Sequence, residues 1–212
     1  MRATRLHRIL AGLALSVVLA AGAVFAFWGQ DDEPVGGVAA PGGASVEAGF
    51  SRDMVVHHQQ AVEMSLVVRD STTDKEVRTL AYDIINTQAA QRGMMLGWLE
   101  MWGLEKSSSQ APMAWMEHGS QYRAKDGSLM PGMATDTQIN QLNKARGEEA
   151  EVLYLKLMTA HHKAGVDMAR AVEKAAKDQG VKRLAQSMVD GQQAEMDLMA
   201  TMLAQRGAAA VQ

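Results

Sequence analysis

Between Met54 and about Asp70, apolar residues recur at helical spacing, and no glycine or proline interrupts them. Ser71-Thr72-Thr73-Asp74 breaks the pattern, and Asp74 is suited to cap the helix that follows. That helix is predicted over about Lys75–Trp102, with Gly103 just past its end. A third long helix is predicted over about Glu148–Lys177, stopped by Gly180. A fourth follows over about Val181–Arg206, ended by Gly207. Thr135 or Asp136 can cap a short helix running to Ala145. Between these patterns, 104–134 reads as mostly loop, from Ser107-Ser108-Ser109, Pro112, Gly119, Gly127, Pro131 and Gly132. A short turn is expected near Met113–His118.

The long helices are related to each other. Shifted by 104 residues, 54–103 falls on 158–207 without a gap, and 15 of 50 positions are identical. The pairs include Met54/Met158, His57/His161, His58/His162, Met64/Met168, Gln88/Gln192, Met95/Met199 and Gly103/Gly207. A period this long is no solenoid. It predicts an all-α fold, a four-helix bundle made of two duplicated helical hairpins. The domain is expected over 47–207, as a first half 47–103, a linker 104–134 and a second half 135–207.

The N-terminus has a different pattern. Arg2, Arg5 and Arg8 precede an uncharged, mostly apolar run from Ile9 to Trp28. Residues 1–28 therefore read as a signal peptide or membrane anchor, which puts the rest of the chain outside the cytoplasm, secreted or tethered. Residues 29–46, rich in glycine, proline and acid, read as a flexible tether.

Composition narrows the chemistry. The formal charge of −3 argues against nucleic acid as a partner. The absence of cysteine excludes disulfides, thiolate metal sites and cysteine nucleophiles. Sixteen methionines are more than a core needs as gap filler. At about 100° per residue, Met54, His57, His58, Ala61 and Met64 share one arc of the helix. Met158, His161, His162, Gly165 and Met168 repeat that arc. Each half thus presents two imidazoles and two thioethers around a small residue. Gln88 with Met95, and Gln192 with Met199, form a similar face on the second helix of each half.

Thioether sulfur is soft and imidazole borderline, so without thiolate the set suits copper, above all Cu(I), with Ag(I) as its analogue. A di-iron bundle needs Glu-x-x-His, which the chain lacks. Glu63 and Asp167 lie opposite the His–Met face and are not expected to bridge a metal there. The same methionines at helical spacing also suit an ordinary core, and the histidines can be core groups held by hydrogen bonds. In the linker, Met113, Met116, His118, Met130 and Met133 form Met-x-x-Met clusters. They read as flexible and exposed, either a second, looser ligand set or a lid on the bundle.

Several stretches resemble the domain-of-unknown-function family 305. They are Phe50-Ser-Arg-Asp53-Met54-Val-Val-His57-His58-Gln-Gln-Ala61-Val-Glu-Met64, Met130-Pro-Gly-Met133, and Leu155-x-x-Met158-x-x-His161-His162-x-x-Gly165-Val-x-Met168 with Gln192. The similarity covers about 48–206. It implies a bacterial, often exported protein with a ferritin-like four-helix bundle, in a family some of whose members bind copper or silver through Met and His. The family commonly has Gln-x-x-Glu on the second helix of each half. Gln192-x-x-Glu195 keeps it, whereas Gln88-x-x-Gln91 does not.

The expected function is extracytoplasmic copper sequestration or handling without catalysis. The expected ligands are His57, His58, His161, His162, Met54, Met64, Met158, Met168, Met95, Met199, Met130 and Met133. Expected partners are the metal ion and, if the N-terminal segment is retained, a membrane. Two alternatives are a metal-dependent oxidoreductase using the same histidines and a structural or interaction module that binds no metal.

Overall fold

Ser45 starts the first helix. Its hydroxyl accepts the N–H of Ala48 at 3.1 Å, satisfying one of the amides that a helix start leaves unpaired. A computed structural model describes residues 40–117 and 119–209, and in it α1 spans Val46–Ser71. That is earlier than the Met54 start expected from sequence, because Phe50 and Ala48 are buried and carry the apolar face back past Gly49. Asp74 caps α2 (Lys75–Met101), its Oδ1 accepting from Val77 N–H at 2.9 Å. Thr135 and Gln138 form a reciprocal capping box on α3 (Asp136–Lys144). α4 spans Gly147–Ala175 and α5 spans Gln179–Gln205. Gly180 does not stop α4. It lies in the first turn of α5, which Asp178, the repeat counterpart of Asp74, caps through Val181 N–H at 3.0 Å.

Two glutamates at the repeat offset fix how the halves meet. Glu47, at the start of α1, accepts the N–H of Lys177 at 2.6 Å, just past the end of α4. Glu151, at the start of α4, accepts the Thr72 hydroxyl just past the end of α1, and Arg206 Nε at 2.7 Å. The start of each inner helix therefore meets the end of the other. α1 and α4 run antiparallel about a pseudo-dyad, and each half clamps the hairpin turn of its partner. α2 packs on α1 and α5 on α4, giving an all-α bundle of two hairpins.

The core divides into two apolar poles. One gathers Phe50, Met54, Met95, Met168, Val172 and Met188. The other gathers Met64, Val68, Tyr154, Met158, Met199 and Leu203. The linker is pinned to α1 and is not a free loop. Asp53 Oδ2 accepts Met113 N–H at 2.7 Å and Trp115 Nε1–H at 2.8 Å. The Gln60 carboxamide donates to Ala134 O at 2.9 Å and accepts its N–H at 2.7 Å. Among the described residues no helix is long and apolar enough to cross a membrane. The expected segment 1–28 lies outside the described residues.

Candidate metal centre

His57 and His58 project from the middle of α1, and His161 and His162 from the middle of α4. All four are buried. Because the inner helices cross there antiparallel, the sequence pairs meet at the pseudo-dyad. The His57 and His161 rings lie 3.7 Å apart at 33°. His58 lies 6.5 Å from His57, and His162 lies 6.3 Å from His161. The four imidazoles form one layer between the two methionine-bearing poles.

Hydrogen bonds set the tautomer of three rings. His161 Nε2–H donates to the His57 carbonyl at 2.9 Å. His58 Nε2–H donates to Gln91 Oε1 at 2.7 Å. His162 Nε2–H donates to Glu195 Oε2 at 2.6 Å. When Nε2 carries the proton of a neutral ring, Nδ1 carries a lone pair. None of these Nδ1 atoms has a partner, and His57, although its ring faces the Pro131 backbone, makes no well-formed hydrogen bond at either nitrogen. Burial, then repulsion from the neighbouring imidazoles, holds His57 and His58 down to about 3. The same causes hold His161 well below its ordinary range. Those three rings are therefore neutral at physiological pH, the state in which imidazole binds metal.

Five buried imidazole nitrogens without partners are abnormal, since each such atom costs roughly 1–3 kcal/mol. Gln88 and Gln192, also buried, add further unpaired atoms to the same region. Gln192 reaches Gly165, where a Cβ would lie 2.5 Å from its Oε1. The small residue between the His and Met positions of α4 is thus filled by that carboxamide. Unpaired lone pairs grouped on neutral rings are the feature a soft cation would satisfy, so the donor set fits copper. Among the described residues no three imidazole or carboxylate groups already converge on one point. A bound ion would take few nitrogens and complete its ligands with thioethers or through ring rotation.

The structure sorts the predicted methionines. Met54, Met95 and Met168 fall at one pole with Met130, while Met64, Met158 and Met199 fall at the other. Met54 and Met64 share a helix face but lie about 15 Å apart along it, so they cannot serve the same point. The expectation of an exposed, flexible linker is corrected. Met113 and Met130 are buried, and Met116 and Met133 are half-buried against the first pole. A left-handed backbone at Met113 (φ 67°), held by Asp53, turns its side chain into the core. Pro131-Gly132 fits tightly on α4. At Gly132 (φ 75°), a Cβ would lie 2.6 Å from the Ala160 carbonyl. His118 lies outside the described residues. Glu63 and Asp167 are exposed, as their helical positions predicted.

Sequence reasoning noted Gln91 and Glu195 as motif positions but did not place them against histidines. Each stands 33 residues after its partner, His58 or His162, and that shared separation was the available signal.

Comparison with known proteins identifies the family and the fold. The family model for the domain of unknown function DUF305 matches residues 47–203. A DUF305 protein of Streptomyces coelicolor is 52% identical, covering 81% of this chain and 99% of its own, with a TM-score of 0.73. A DUF305 fragment from Deinococcus radiodurans is 29% identical, covering 76% of this chain and 96% of its own, with a TM-score of 0.62. CopM in its Cu(II)-bound form is 23% identical, covering 74% of this chain and 95% of its own, with a TM-score of 0.58. At that identity the likeness concerns the fold. No curated protein matches. With the family model spanning both hairpins and both Met-x-x-His-His motifs, the chain belongs to the DUF305 family.

Proposed function

We propose that this protein binds copper outside the cytoplasm, taking Cu(I), with Ag(I) as its analogue, for sequestration or handling and not for catalysis. The observation that carries the reading is the layer of unpaired imidazole lone pairs at the pseudo-dyad. His57, His58, His161 and His162 would hold the ion. Met54, Met168, Met64 and Met158 are the nearest thioether donors along the same helices, with Met95, Met199, Met130 and Met133 behind them. The cation would convert several unsatisfied donors into ligands, and the soft sulfur at each pole selects against Mg²⁺ or Ca²⁺. CopM, a relative in fold, has structures in Cu(II)-, Cu(I)- and Ag-bound forms, which supports the choice of metal. The basic, then apolar, N-terminal sequence supports export.

The test is titration of the full-length protein with Cu(I) under reducing, anaerobic conditions, and with Ag(I). The comparison is a variant with His57, His58, His161 and His162 changed to Ala, its folding checked by circular dichroism. A second variant changes Met54, Met64, Met158 and Met168 to Leu. That change keeps core volume, at a cost of less than about 1.5 kcal/mol per site, and removes only the sulfur. Tight uptake lost in the first variant and weakened in the second is expected. Equal uptake by wild type and the histidine variant would refute the reading.

A further inference from the structure

The pseudo-dyad makes the two halves of the imidazole layer equivalent in position, yet their outer partners differ in charge. His58 Nε2–H meets the neutral Gln91 carboxamide at 2.7 Å. His162 Nε2–H meets the Glu195 carboxylate at 2.6 Å. The two contacts span the same sequence separation on equivalent helices, so one half is a control for the other. Glu195 is 22% exposed while the His162 side chain is fully buried, so the carboxylate links solvent to the imidazole layer.

We infer that Glu195 is the positioning residue that makes the two halves unequal: the His161–His162 side takes the first soft monovalent cation, and the His57–His58 side takes a second more weakly. This rests on the copper reading above and assigns an order within that site. Two effects act in the same direction. A carboxylate accepting the Nε2–H fixes the tautomer and makes the Nδ1 lone pair a stronger donor. It also places one negative charge beside a cation entering a buried site, where an uncompensated charge is strongly disfavoured. Gln91 fixes the same tautomer but supplies neither the basicity nor the charge. The difference is therefore chemical and not steric, and Gln at 195 would keep the hydrogen bond that Gln91 already makes at the equivalent position.

The experiment titrates full-length wild type, Glu195→Gln and a Glu195→Gln/Gln91→Glu double variant with Ag(I), using chelator competition for affinity. Imidazole ¹⁵N spectra show which rings respond first. In wild type, the His161 and His162 Nδ1 resonances are expected to move in the first equivalent and those of His58 in the second. Glu195→Gln should weaken the first equivalent by about 10–100-fold, with the ¹⁵N pattern of the silver-free protein still reporting Nε2–H at residue 162. The double variant should restore a tight first equivalent, now at His58. A first-equivalent affinity in Glu195→Gln within about twofold of wild type, with normal silver uptake, overturns the inference and leaves the metal reading standing. So does first filling at His58 in wild type. Failure of every protein to take up Ag(I) overturns both.

Discussion

In its metal-free form the protein is expected to lose stability steeply below about pH 6.5. His57, His58 and His161 are 0%, 0% and 1% exposed. Burial, then mutual repulsion, keeps His57 and His58 down to about 3 and His161 well below its usual range. On unfolding each returns to about 6.5. From about 6.5 down to about 3 the unfolded chain therefore binds more protons than the fold, and stability rises with pH across that window. The neutral rings' contribution is fully present above the unfolded value and drains away as pH falls below it.

Each such histidine removes about 1.4 kcal/mol per pH unit. His57 and His58 together give about 3 kcal/mol per unit, and His161 adds to the slope. Set against a total stability of roughly 5–15 kcal/mol, this places acid unfolding between about pH 5.5 and 3. Two carboxylates also depart from their ordinary values, in opposite directions. Burial works to raise Glu47, but hydrogen bonds led by the Lys177 N–H leave it below its ordinary value, so its contribution is lost in stronger acid. Asp53 is raised by burial despite its contacts to Met113 and Trp115, and it acts in the opposite sense. Urea unfolding followed by circular dichroism, with a chelator present, should show a slope of about 3 kcal/mol per unit or more between about pH 6 and 5. His58→Gln should reduce it by about 1.4 kcal/mol per unit. A slope below about 1 kcal/mol per unit would refute the claim that these rings are buried and neutral.

Two further outcomes test the frame around the site. Glu151→Ala leaves Arg206, whose side chain is 8% exposed, with Asp74 at 3.2 Å and the Met202 carbonyl at 2.9 Å, and takes the acceptor from the Thr72 O–H, which keeps only the Asp74 N–H it accepts. It should cost about 3 kcal/mol in thermal or urea unfolding, and a loss under about 1 kcal/mol would show that the clamp is not stabilising. Gly132→Ala puts a methyl against the Ala160 carbonyl and the Ala164 side chain at φ 75°. It should destabilise by about 2 kcal/mol or more and expose the Met130–Met133 loop to limited proteolysis. An unchanged cleavage pattern would show that the loop does not depend on that fit.

The helices and their buried faces were legible because spacing alone places Met54, His57, His58 and Met64 on one arc, and the repeat confirms the arc on α4. The start of α1 was not, because Gly49 counts against a helix locally. Its value lies in a distant contact, since a Cβ there would lie 2.6 Å from Trp115. The burial of the linker was hidden for the same kind of reason. It depends on Asp53 holding Met113 across 60 residues and Gln60 holding Ala134 across 74. The separation of Met54 from Met64 follows from the helix rise of about 1.5 Å per residue, which a helical wheel projects away.

The methionines alone do not distinguish a core from a site, because each buried one sits where leucine would also pack. The imidazoles do distinguish them. A sequence selected only for folding would remove unpaired nitrogens from the most buried layer, since hydrophobic side chains of similar volume are neutral or stabilising there. This chain keeps five such nitrogens, and keeps them at the pseudo-dyad. Duplication brings every residue near that axis to the centre twice, so it doubles the destabilisation along with the donor set. The surrounding poles, the crossed glutamate clamps and the pinned linker offset that doubled strain. A layer this inconsistent with its own fold is where function is expected to lie, and the partners Gln91 and Glu195 are where the two copies of that layer differ.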